Sequence, residues 1–142
     1  MPIQSLLAAD RIVLLVEPGD RDAVLDAAAR LLADAAPANT QAIAEGLRKR
    51  ERLGSTAIGH GIAIPHGRTP AFDTARGAFL RLREPVDLVF AMAVPEHFTQ
   101  QHLQLLAELA EQFADAGFRD ALRAAPDVGT LRALLLDAAI AP

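Results

Sequence analysis

His66 stands between Pro65 and Gly67 at the end of the apolar run Ile62-Ala63-Ile64. Proline fixes its own φ and pushes the residue before it toward extended backbone, while glycine can leave in any direction. The imidazole is therefore delivered on a stiff segment and aimed. With an ordinary pKa near ~6.5 it is mostly neutral at neutral pH, so a ring nitrogen can act as a nucleophile without a separate strong base. Taken alone, such a histidine could equally be a loop residue that caps a backbone carbonyl.

His102 changes that balance. It falls three residues after Thr99, a helix-capping residue type, and steps of four, seven and eleven residues from it reach Leu106, Leu109 and Phe113. That spacing puts it on the inward stripe of a helix. In the first turn it meets the positive end of the helix dipole, which disfavours its cation and suits a place where negative charge gathers. A core histidine bonded to a carbonyl is the other reading of the same position. His60, between Gly59 and Gly61, and His97, in Pro95-Glu96-His97-Phe98, read as peripheral. None of the four shows an i, i+4 helical pairing or a nearby carboxylate motif, so no metal site and no cofactor is expected. Arg50 lies in the charged helix end Arg48-Lys49-Arg50-Glu51-Arg52, directly upstream of Gly54-Ser55-Thr56. The other cations of that end read as solvated, and Ser55 and Thr56 either form the turn or offer hydroxyls to an oxyanion.

Alternating elements are expected to position these groups. A short apolar strand over 12–16 precedes a turn cluster whose Asp20 can cap a helix over 21–33, with Val24, Ala28, Leu31 and Leu32 on one face. Asn39 or Thr40 can cap a second helix that carries Ile43 and Leu47 inward. Residues 58–64 read as extended and broken by glycines, 78–82 as a strand with one wetted face, and 86–94 as a central strand covered on both sides. A helix to about Phe113 follows, then short helices over 118–123 and 127–139; 70–73 reads as an exposed connection. Strands alternating with helices around a doubly buried strand give an α/β class with helices on both faces of one sheet, and no boundary divides residues 1–142.

Composition narrows the chemistry. With 142 residues, 51% of them hydrophobic, the chain can bury one substantial core. A net charge of −4 and a single lysine, Lys49, exclude the basic footprint of a nucleic-acid binder. No cysteine means no disulfide, thiolate nucleophile or thiolate metal site. The N-terminal residues lack the pattern of a signal peptide and no run is long enough for a membrane span, so a cytoplasmic protein is expected. Neither a P-loop nor a serine elbow is present.

Arg50-Glu51-Arg52-Leu53-Gly54-Ser55-Thr56, followed by Ile58-Gly59 and by Gly61-Ile62-Ala63-Ile64-Pro65-His66-Gly67, resembles the phosphocarrier signature of enzyme IIA domains of the fructose/mannitol class in the bacterial phosphotransferase system. The nitrogen-regulatory branch of that class is the most similar, and the likeness covers essentially the whole chain. It implies a three-layer α/β/α sandwich around a mixed sheet. It also implies that His66 is phosphorylated by an HPr/NPr-type histidine phosphocarrier, on Nε2, and that His102 and Arg50 stabilise the phosphoryl group. Ser55 and Thr56 are further candidate phosphate contacts. The partners it implies are that carrier and either regulated proteins such as transporters or sensor kinases, or a IIB domain. In the family a longer connection joins the strands matching 78–82 and 86–94, where this chain has only Arg83-Glu84-Pro85, which points either to a true deletion or, as the tight proline-containing link favours, to an omitted loop. A sugar-specific IIA passing phosphate to a IIB domain, and a non-catalytic module binding a small anion or metal, are the competing functions.

Overall fold

Strand β6 (Leu88–Pro95) is buried at every residue, as its nearly unbroken apolar run predicts for a strand covered on both faces. It is the spine of a computed structural model that describes residues 6–14, 20–33, 37–69, 75–82, 88–95 and 100–136. The expectations for the turn cluster after the first strand, the 70–73 connection, the 83–85 link, His97, the Thr99 cap and the last helix beyond residue 136 lie outside those residues.

Five further strands complete one mixed sheet: β1 (Ile12–Leu14), β2 (Ala57–Gly59), β3 (Ile62–Ala63), β4 (His66–Thr69) and β5 (Arg76–Arg81), in the order β1-β5-β6-β3-β2, with β4 also paired to β6. β5 runs antiparallel to β6, while β3 and β4 both run parallel to it. One flank of β6 is thus shared by two short strands, β3 opposite Leu88 and Val89 and β4 from His66 opposite Met92. Ile64 and Pro65 form the break between them. Proline lacks an N–H to give to the ladder, and here its carbonyl alone takes part, accepting from the Met92 N–H at 2.8 Å.

Alternate residues of β6 feed two cores. Val89, Ala91 and Ala93 join Leu25, Leu32, Ile43 and Leu47 of helices α1 (Arg21–Ala33) and α2 (Thr40–Leu53). Leu88, Phe90, Met92 and Val94 join Leu109, Phe113, Leu122 and Leu131 of helices α3 (Gln100–Phe113), α4 (Ala116–Ala124) and α5 (Val128–Leu136). The result is the three-layer α/β/α sandwich expected from the sequence. Phe113 is the aromatic centre of the second core, stacked on Phe79 at 6.2 Å and edge-on to Phe90 at 5.9 Å. Burying one such side chain stabilises by roughly 1.5–3 kcal/mol.

Several local expectations change. β5 has no wetted face: Gly77 to Leu80 are all buried, because α1 and α2 cover one side and α3 to α5 the other. The inward face of α1 is rotated onto Leu25, Ala28, Ala29, Leu32 and Ala33, leaving Val24 and Leu31 at its flanks. Its alanines pack against Ile43 and Ala44, since small side chains let two helices approach closely. Asp20 does cap α1, accepting from the Ala23 N–H at 2.9 Å, but Asn39 makes no side-chain cap on α2. Arg48 is not merely solvated, because it pairs with Asp26 and ties α2 to α1.

The contact that matters most for the site lies between α2 and β4. A methyl group on Gly67 would fall 2.4 Å from the carbonyl carbon of Gly46, and one on Gly46 would fall 2.7 Å from the Arg68 carbonyl oxygen. Helix and strand meet backbone to backbone, with no side chain between them. Gly67→Ala is therefore expected to lose about 2 kcal/mol of stability in urea or thermal unfolding, the scale of forced overpacking; a variant as stable as the parent chain would contradict this contact.

Candidate active site

Because α2 lies directly on β4, the last turn of the helix runs alongside His66. Arg50, one turn beyond Gly46, donates from Nη1 to the Gly54 carbonyl at 2.9 Å. One of its five donors thus fixes the turn that ends the helix. The next residue, Glu51, holds the same turn from the other side. Its carboxylate accepts from the Thr56 N–H at 3.2 Å and from the Thr56 hydroxyl at 2.7 Å, and its carbonyl accepts from the Gly54 N–H at 3.1 Å. The Ser55 hydroxyl oxygen accepts from the Ala57 N–H at 3.1 Å, which leaves its own hydrogen to donate outward. Thr56 is buried and its hydroxyl hydrogen is committed to Glu51, whereas Ser55 is exposed.

Beyond this turn the chain makes the β2–β3 hairpin. Gly59, His60 and Gly61 all have positive φ, His60 at 57°, a conformation that glycine tolerates freely and histidine only occasionally. His60 is exposed at the tip, and its carbonyl accepts a hydrogen bond from Arg123 of α4. It stays peripheral, as expected. The return strand leads through Ile64 and Pro65, both buried, into His66.

The His66 ring is half-buried and its Nδ1 lies 2.9 Å from the Ile64 carbonyl oxygen. A carbonyl can only accept, so Nδ1 carries the proton and Nε2 carries the lone pair. The pKa of the ring is lowered from its ordinary value. Burial is the main cause, opposed by the bond to Ile64; the Arg50 cation lowers it further and the Glu51 carboxylate raises it. The neutral, nucleophilic form therefore dominates at pH 7.

Two depressions open on either side of the His66–Arg50 pair. One, of about 450 Å³, lies along the α2–β4 seam with Lys49, Leu53 and Arg68 on its walls. The other, of about 280 Å³, is lined by Ser55, Thr56, Ile58 and, from α3, Leu106 and Ala110. Of the residues singled out in the sequence, His66, Arg50, Ser55 and Thr56 thus share one site. His102 falls in the first turn of α3, four residues before Leu106; its side chain lies outside the described residues. Among the described residues no three histidine or carboxylate groups gather as a metal site, and no helix is long and apolar enough to cross a membrane.

Sequence reasoning passed over Glu51, Leu53 and Ile58. Leu53 is 80% exposed and Ile58 44%, and they rim the two depressions. A leucine closing a charged helix end was a visible signal for the first. Nothing in the linear sequence pairs Glu51 with Thr56, since the bond depends on how the intervening turn folds back.

Fold and site together define a class: an α/β domain that presents a neutral imidazole, with a guanidinium nearby, on a short strand paired with its central strand. The chain belongs to the family described as Phosphoenolpyruvate-dependent sugar phosphotransferase system, EIIA 2, whose model matches residues 5–138. It is a phosphoryl-transfer protein of that system. The nitrogen regulatory protein of Pseudomonas aeruginosa is 37% identical, with 95% of each chain covered. The crystal structure of nitrogen regulatory protein IIA-Ntr from Neisseria meningitidis superposes with a TM-score of 0.79 at 35% identity, over 94% of this chain and 98% of that one. The mannitol enzyme IIA of Escherichia coli, solved in complex with phosphorylated mannitol enzyme IIB, shares the fold at a TM-score of 0.69 and 22% identity, over 92% of this chain and 97% of that one.

An NMR titration of the His66 ring is expected to show its midpoint below 6.5 and to show Arg50→Gln moving that midpoint upward, because a cation beside the ring opposes protonation. The neutral fraction of the ring should rise with pH through that midpoint and be flat above it. A midpoint that stays put or falls in the variant would contradict the position of Arg50.

Proposed function

We propose that His66 is the phosphoryl acceptor of this chain and that Nε2 takes the group from an HPr/NPr-type phosphohistidine carrier. The observation that carries this is the Nδ1 bond to the Ile64 carbonyl, which selects the tautomer with its lone pair on Nε2. The Nε2 lone pair attacks phosphorus, a P–N bond forms as the P–N bond of the carrier breaks, and the departing electron pair returns to the imidazole of the carrier. Both rings keep their other N–H throughout, so no base and no metal is needed. The positive charge that develops on the His66 ring is steadied by the Ile64 carbonyl facing its N–H.

The moving phosphoryl group spreads charge over three oxygens, so catalysis is positioning and electrostatic stabilisation. Arg50 supplies a planar donor fork beside the ring. Ser55 has a hydroxyl hydrogen to give from the turn. Thr56 serves by holding that turn, and His102 contributes from the first turn of α3. We read residues 1–142 as one IIA domain working in the cytoplasm, with the phosphorylation state of His66 governing its binding to other proteins, such as transporters or sensor kinases. The nitrogen-regulatory name of the relatives matched over nearly their whole length favours this over a sugar-specific role. Transfer onward to a IIB domain is the alternative that the mannitol complex suggests.

The test is incubation with phosphoenolpyruvate, enzyme I and the carrier, followed by peptide mapping. Label is expected on His66 and absent from His66→Ala. Arg50→Ala should slow transfer by about two orders of magnitude, the scale for removing one donor to a developing oxyanion. Label retained by His66→Ala would refute the assignment.

A further inference from the structure

A chain of hydrogen bonds runs from the end of α2 to the His66 ring. Both oxygens of Glu51 are turned onto Thr56, at 3.2 Å from its N–H and 2.7 Å from its hydroxyl. The Thr56 carbonyl accepts from the Ile64 N–H at 3.1 Å, and the Ile64 carbonyl accepts from His66 Nδ1 at 2.9 Å. The two middle residues are buried, so neither exchanges these bonds for water. The anchor is unusual. A carboxylate in the last turn of a helix faces the negative end of the dipole, which disfavours it, and surface carboxylates keep both oxygens hydrated. Glu51 instead spends both on one threonine, with no cation in salt-bridge range among the described residues.

We propose that Glu51 is a positioning residue for phosphoryl transfer: through Thr56 and Ile64 it fixes the carbonyl that holds the His66 N–H, and so aims the Nε2 lone pair. This rests on His66 being the acceptor. A carbonyl free to swing would let the ring rotate and let the proton sit on either nitrogen, and only one arrangement presents Nε2 as nucleophile. A misplacement of about 1 Å between reacting groups can cost roughly a hundredfold in rate. The same carboxylate also acts on the ring by charge. Among the described residues the charged groups around the ring are Arg50 and Glu51 from α2, with Lys49 and Arg68 on the adjoining wall, while Leu106, Ala107 and Ala110 of α3 are uncharged.

The experiment uses the full chain with Glu51→Ala, Thr56→Val and Thr56→Ser, measuring single-turnover transfer from phosphorylated carrier and, separately, the His66 tautomer by ¹⁵N NMR in the unphosphorylated protein. Glu51→Ala is expected to lower the saturating rate about tenfold, the effect of one lost bond to a charged group, with the half-saturating carrier concentration unchanged. Its His66 ring should change from a single Nδ1–H tautomer to a mixture. Thr56→Val loses the hydroxyl bond and should fall between the parent chain and Glu51→Ala, and Thr56→Ser, which restores that bond, should recover most of the lost rate. A folded Glu51→Ala with unchanged rate and tautomer overturns the proposal, as does a loss confined to half-saturation, which would make Glu51 a docking residue. If Glu51→Ala does not fold, equal rates in the two Thr56 variants overturn it. Label persisting in His66→Ala would refute the acceptor assignment instead, leaving the tautomer measurement to decide whether Glu51 orients the ring.

Discussion

Gly46 and Gly67 touch so closely that neither can carry a side chain, and the geometry of the site follows from that contact. It sets α2 flush against β4. Arg50 lies one helical turn past Gly46, and His66 precedes Gly67. Two groups far apart in the chain are thereby held side by side by backbone, which moves less than side chains do. Burial of the ring, with the guanidinium adding to it, favours the neutral imidazole, and the proposed role of Arg50 needs no movement to bring its donors to a phosphoryl group on His66.

The sheet supplies the second half of the same constraint. β3 and β4 share one flank of β6, and the Ile64-Pro65 break between them turns the Ile64 carbonyl back toward the His66 ring. The same break is anchored to β6 by the Pro65 carbonyl and to the Gly54–Thr56 turn by the Ile64 N–H. The geometry of the site thus depends on a defect in an otherwise regular strand pairing. A continuous strand through residues 62–69 would commit the Ile64 carbonyl to the ladder and leave the imidazole without its orienting partner.

Much of this was legible in the residues themselves. Pro65-His66-Gly67 announced a stiffly delivered imidazole, the 86–94 run announced a central strand, and Asp20 announced the start of α1, because each depends on chemistry local to a few residues. The wetted face expected for β5 failed because covering layers belong to tertiary structure: nothing in 78–82 says that helices lie on both sides. Several of the thirteen arginines have a structural use. Arg119 binds the Phe113 and Ala114 carbonyls at the end of α3, and Arg81 binds those of Leu122 and Ala125 at the end of α4. Each satisfies carbonyls that a helix end leaves unpaired. Such pairings span up to 44 residues and have no signature in linear order.

The central claim is that one proton, held on Nδ1 by the Ile64 carbonyl, decides which nitrogen of His66 carries phosphate. The most direct test is the ³¹P–¹⁵N coupling in ring-labelled, phosphorylated protein. Coupling of phosphorus to Nε2 of His66, with Nδ1 still protonated, is the result expected. Coupling to Nδ1 would mean that the bond to Ile64 breaks during transfer and would contradict the account.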